Sequence, residues 1–204
     1  MSRLRVGLTL ASLTALAAPA FAGAPFRCGT PAPSRVVVVR THDDYRRPRS
    51  TYDRLMDEAW DQFERECYAD AQRLFAKASR LRPQEGEANT GYALASAMCG
   101  DERAAAWAMR DAFDSDPRGV RAPRSRDIDE TLCDLQRQYR SREERFPAGR
   151  RAARDEAFML AAVSYLLDED REARRAIECA IDMGDRSNAV YNLRDLLRPR
   201  SDCD

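Results

Sequence analysis

Ala71, Phe75, Ala78 and Pro83 recur 34 residues later as Ala105, Met109, Ala112 and Pro117, and twice that period further on Ala173, Ile177 and Ala180 repeat the first three. A small, a large and a small residue spaced by four and then three lie on one face of a helix. Self-similarity at a fixed period means stacked copies of one supersecondary unit, none of which can bury its apolar face alone. The composition suits helices: 8% aromatic residues, 33% charged residues and only 9 Gly leave the apolar content in Ala, Leu, Val, Met and Ile. A single His, His42, excludes any one-chain site that needs two imidazoles, which removes the commonest zinc centres.

Breakers and caps turn the period into paired helices. Hairpin one is expected at Tyr52 to Glu66 and Tyr68 to Leu81, hairpin two at Glu85 to Cys99 and Asp101 to Ser115, and hairpin three at Arg151 to Leu167 and Glu169 to Met183. Pro83 and Pro117 end two of the second helices, Asp101 and Asp168 read as N-caps, and Gly184 follows the last turn as a C-terminal Gly should. Between hairpins two and three the signature lapses. Asp127 and Glu130 form a capping-box pattern ahead of Ile128, Leu132, Leu135 and Tyr139, which predicts one amphipathic helix there. A final helix from Asn188 to Arg198, with Ser187 before it and Val190, Leu193 and Leu197 on one face, reads as a terminal cap.

The 34-residue unit, its small-bulky-small-Pro second helix, the Gly100-Asp101 turn and the small Ala59, Ala93 and Ala161 of the first helices resemble the tetratricopeptide repeat family over about half the chain. First-helix positions Leu55, Glu58, Asn89, Tyr92, Ala157 and Leu160 depart from the family's aromatic and Leu pattern. The resemblance implies an all-α fold, a short α-solenoid of helix hairpins with an interposed helix and a C-terminal capping helix. It also implies a non-enzymatic protein-protein interaction module or scaffold. A self-associating structural protein is the alternative, with an envelope enzyme a third reading.

The chain divides accordingly. Residues 1–22 read as a secretory signal: Arg3 and Arg5, an uncharged stretch from Val6 to Ala18, and small residues at Ala20 and Ala22. Its apolar run is shorter than the roughly 20 residues that span a bilayer. This predicts a secreted or periplasmic protein with no transmembrane anchor after cleavage. Residues 23–50 form a Pro- and Arg-rich tail carrying Val36 to Val39, 51–117 the first two hairpins, 118–150 the basic interposed segment, and 151–204 the third hairpin and cap. All six Cys follow residue 22, and an oxidising compartment permits disulfides. Cys67 and Cys99, at the turns of adjacent hairpins, are the expected pair.

Two surfaces are candidates for function. The resembled family binds partner peptides along its first helices, and the matching positions here are Met56, Trp60, Phe63, Leu94, Met98, Phe158 and Tyr165. That stripe reads either as a groove for a protein or peptide segment, or as core closed by the interposed helix, since spacing by three and four is common to both. Residues 118–154 hold eleven Arg against six acids. Arg118, Arg121, Arg124 and Arg126 form a basic patch suited to an anionic partner, or a solvated segment paired with nearby acids. Export disfavours nucleic acid. His42 beside Asp43 and Asp44 lies in the tail without a scaffold to hold it, and no cofactor, metal or catalytic motif is read elsewhere.

Overall fold

The computed structural model describes residues 49–143 and 151–198, and the expected signal, tail and His42, with Cys28 and Cys203, lie outside them. Among the described residues the fold is all-helical: α1 (Thr51–Glu64), α2 (Tyr68–Leu81), α3 (Gly86–Met98), α4 (Glu102–Ser115), a 3-10 turn (Pro117–Gly119), α5 (Arg126–Glu143), α6 (Arg151–Leu166), α7 (Asp170–Asp182) and α8 (Asn188–Leu196). None of these helices is long and apolar enough to cross a membrane.

The period read in the sequence reappears as a backbone device. Glu66, Gly100 and Asp168, one and then two periods apart, adopt left-handed φ of 61°, 80° and 59°. At each, the following N–H donates back across the turn: Cys67 to the Gln62 carbonyl, Asp101 to Ser96 and Glu169 to Ser164, all at 2.9 Å. This closure satisfies the last carbonyls of the first helix and reverses the chain. Asp168 is therefore the left-handed residue of its turn and not an N-cap; Glu169 takes the cap position. Asp101 does cap α4, accepting the Ala104 N–H at 3.0 Å.

The small and bulky positions of the repeat are buried, while Pro83 is exposed and Pro117 half-buried. Ala59, Ala93 and Ala161 on first helices, and Ala71, Ala105 and Ala173 on second helices, are fully inaccessible, as are Phe75, Met109 and Ile177. Small residues let helix axes approach while the bulky neighbour fills the space between hairpins. The closest approach is at Gly91 of α3, where a Cβ would stand 2.3 Å from the Phe75 ring. Ala105→Leu is expected to cost about 1 to 3 kcal/mol by overpacking, read as a lowered thermal midpoint.

Helix α5 forms where expected, with Ile128, Leu132, Leu135 and Tyr139 buried. Its start differs from the expected capping box. The Ser125 hydroxyl accepts the Ile128 N–H at 3.3 Å, and Glu130 instead accepts from Arg126 one turn earlier at 2.9 Å. The helix docks on α6 much as α2 docks on α3. Gln136 donates to the Ser164 hydroxyl at 3.0 Å, and Gln72 to Ser96 at 2.9 Å, and the two serines are two periods apart. One helix thus takes the place of a whole hairpin.

That economy leaves α4 and α6 touching over a shorter stretch than α2 and α3. Helix α8 packs against both α4 and α7, so it is a brace across the bundle rather than a lid on its last hairpin. Asn192 of α8 donates to the Phe113 carbonyl of α4 at 2.8 Å. Arg110 of α4 ties the same region together. It donates to Asp155 of α6 at 2.9 Å, to Asp185 at 2.7 Å and to the Ser187 hydroxyl at 2.8 Å.

The expected Cys67–Cys99 disulfide is not formed: both are exposed free thiols. Cys67 precedes α2 as its N-cap, whereas Cys99 ends α3 as its C-cap. The two residues occupy opposite sides of equivalent left-handed turns, which places their side chains differently. Cys133 is a free thiol as well.

Candidate binding cleft

The apolar stripe of the first helices is core. Met56, Trp60, Phe63, Leu94 and Phe158 are buried, and Met98 and Tyr165 are half-buried against the same cluster. Their partners are the bundle's own rings: Trp60 meets Phe75 edge to face at 4.8 Å, and Phe113 meets Phe158 and Tyr165 at about 6 Å. With Trp60 only 7% exposed, this stripe offers no open groove.

The basic patch is largely matched by acids. Arg121 pairs with Glu87 at 2.7 Å, Arg126 with Glu130, and Arg124 with Asp168 and, at 4.0 Å, Asp129. Arg137, Arg140 and Arg142 pair with Asp134, Glu172 and Glu102. Arg118 is exposed on the 3-10 turn. Exposed pairs like these contribute little stability, but Glu87, Asp168, Glu172 and Glu102, which lie outside the segment, offset part of its positive excess.

A concavity of about 660 Å³ lies over Arg124, Arg126 and Arg137, and another open feature is the gap between α4 and α6. A cleft of about 420 Å³ lies there, lined by Glu102, Arg103, Ala106, Tyr139, Ala152, Asp155, Glu156 and Met159. A second concavity of about 360 Å³ shares Arg103, Ala106 and Asp155 with it and extends along α4 past Trp107. The cleft and this concavity share that stretch of wall.

The polar walls of the cleft are held in place. The buried Tyr139 hydroxyl of α5 donates to Glu102 Oε2 at 2.7 Å, and Arg142 donates to the other carboxylate oxygen. Burial first, and then the Glu102 charge and hydrogen bond, push the Tyr139 phenol well above its ordinary range, so it acts as a neutral donor. Asp155 is engaged by Arg110. Glu156 is different: its Oε2 is buried and accepts no hydrogen bond. Burial raises this carboxyl above the usual glutamate value, Arg142 pulls it down, and Glu102 and Asp155 add to the rise.

Two side chains beside the cleft stand out by their exposure. Trp107 is 66% exposed, and Arg103 is exposed with no ion pair among the described residues. Sequence reasoning missed this site because it followed the first helices. A signal was available, however: with Ala105, Met109 and Ala112 facing the core, a Trp at 107 must face outward. Among the described residues no His, Cys, Asp and Glu are grouped to hold a metal ion, so the cleft's three acids are not arranged as a metal cage.

No family model matches the chain, and neither a curated protein nor a solved structure shows significant similarity to it.

Proposed function

We propose that this chain is an exported, non-catalytic protein-interaction module built from three tetratricopeptide-like hairpins, and that the α4–α6 cleft is its docking site. The observation that carries the reading is Trp107, a large aromatic held at the rim of a preformed cleft. Exposed aromatics beside pockets dominate association energies elsewhere. The periodic left-handed turns support the repeat reading, and the Arg3 to Ala22 pattern supports export. The lapse of the repeat after Pro117 supports the choice of cleft, since with one helix in place of a hairpin α4 and α6 meet over only a short stretch.

Export predicts a mature protein that begins at Gly23. N-terminal sequencing of the secreted or periplasmic form that returned Met1 would contradict it.

Docking is tested by placing a photo-crosslinking side chain at position 107 and, as a control, at Arg171 on the exposed face of α7. Irradiation of the intact envelope should give a discrete, mass-identified protein adduct at 107 alone. Equal adducts at both positions, or none, would remove the assignment. Light scattering of the purified mature chain separates a foreign partner from a second copy.

A further inference from the structure

We infer that the α4–α6 cleft takes a basic side chain, Arg or Lys, from an extended segment of the partner protein. This rests on the docking reading above and specifies what is docked. The reasoning is charge matching at close range. Among the acids of the cleft, Glu102 is held by Tyr139 and Arg142, and Asp155 by Arg110. Glu156 is the carboxylate without a donor, its Oε2 buried and accepting nothing.

Glu156 lines the cleft, so a charged donor entering there meets its carboxylate and adds a charge-assisted hydrogen bond. The walls on the way in are Ala106, Ala152 and Met159, which suit the alkyl stem that Lys and Arg bury while carrying their charge at the tip. A flexible thioether adapts to either stem. Trp107 stands on the adjoining concavity, where the residues flanking the inserted side chain lie against its exposed ring. A divalent ion is a poor competitor, because the acids are not grouped as ligands.

The experiment uses the full mature chain and three fluorescein-labelled heptapeptides of otherwise identical Ala/Leu sequence, with Arg, Gln or Glu at the centre. Binding is read by anisotropy at about 0.15 M salt, where long-range charge attraction is screened. The Arg peptide should bind about ten-fold or more tighter than the Gln peptide, and the Glu peptide more weakly still. Glu156→Gln should remove most of the Arg preference while leaving the thermal midpoint within a few degrees. Equal binding of the Arg and Gln peptides to the unaltered protein overturns the inference whatever the variant does. So does an Arg preference that survives Glu156→Gln, or no binding up to millimolar peptide. If the adduct at position 107 forms but is indifferent to Glu156→Gln, docking stands and the basic anchor fails. If no adduct forms while the peptides discriminate, the basic site stands and the envelope partner fails.

Discussion

Arg110→Met lowers the stability of the folded bundle by about 3 kcal/mol, the low end for breaking a buried ion pair, because the Arg110 side chain keeps 19% of its exposure. In a chain of this size that is a drop of roughly 6 to 12 °C in the thermal midpoint. The substitution preserves most of the volume above the Phe158 ring, where the guanidinium sits 4.3 Å from the centroid. It removes the charge that Asp155 and Asp185 share. Burial on its own would push the Asp185 carboxyl up; the Ser187 N–H and the Arg110 guanidinium outweigh it and hold the carboxyl below its usual value. A carboxyl depressed on folding contributes stability above its unfolded pKa, near 4, and loses it as the pH falls through the folded value. The gap between the unaltered protein and Arg110→Met should therefore narrow in acid. Thermal scans from pH 7 to pH 3 measure this, and a gap that stayed constant would mean that the pair contributes no charge-dependent stability.

Phe75→Ala is expected to cost about 3 to 5 kcal/mol, as for a fully buried Phe that leaves a cavity. The more discriminating result comes from Gly91. In the native protein Gly91→Ala drives a methyl to within 2.3 Å of the Phe75 ring, itself packed edge to face on Trp60 at 4.8 Å, and destabilises by about 1 to 3 kcal/mol. In the Phe75→Ala background the same methyl enters the cavity, and Ala favours the helix over Gly by about 1 kcal/mol. The sign of the Gly91→Ala effect then reverses. Denaturant titration of the two single variants and the double variant gives the coupling directly. Additive effects would place Phe75 and Gly91 out of contact.

The core was legible in the sequence wherever the 34-residue period operates, because period and burial have one cause: Ala71, Phe75 and Ala78 repeat where helices must close on each other. The outer ends of elements were less legible. Asp168 and Asp101 carry the same side chain beside equivalent turns, yet Asp168 adopts the left-handed conformation that Gly100 adopts two periods earlier, and only the register of the repeat, not the residue type, separates them. Asp127 and Glu130 had capping-box spacing, but Ser125, two residues earlier, accepts the Ile128 N–H, and Arg126 engages the Glu130 carboxylate. The stripe from Met56 to Tyr165 illustrates a deeper ambiguity. Spacing by three and four states that a face is apolar and is silent on whether water or another helix meets it. The cleft escaped for the opposite reason: Glu102, Tyr139 and Glu156 come from three helices, and no local pattern joins them.

The position of α8 bears on how quickly a partner could come and go. By gripping α4 through Asn192 while resting on α7, it opposes a breathing motion that would swing α4 away from α6. A cavity whose jaws are tied has little configurational freedom to surrender when occupied, so complexation proceeds without a preceding slow isomerisation. In the docking role proposed above, a cleft so held would sample segments rapidly. Its discrimination then resides in how long each one lingers, and loosening the Asn192 tether would trade that crispness for a softer, more permissive mouth.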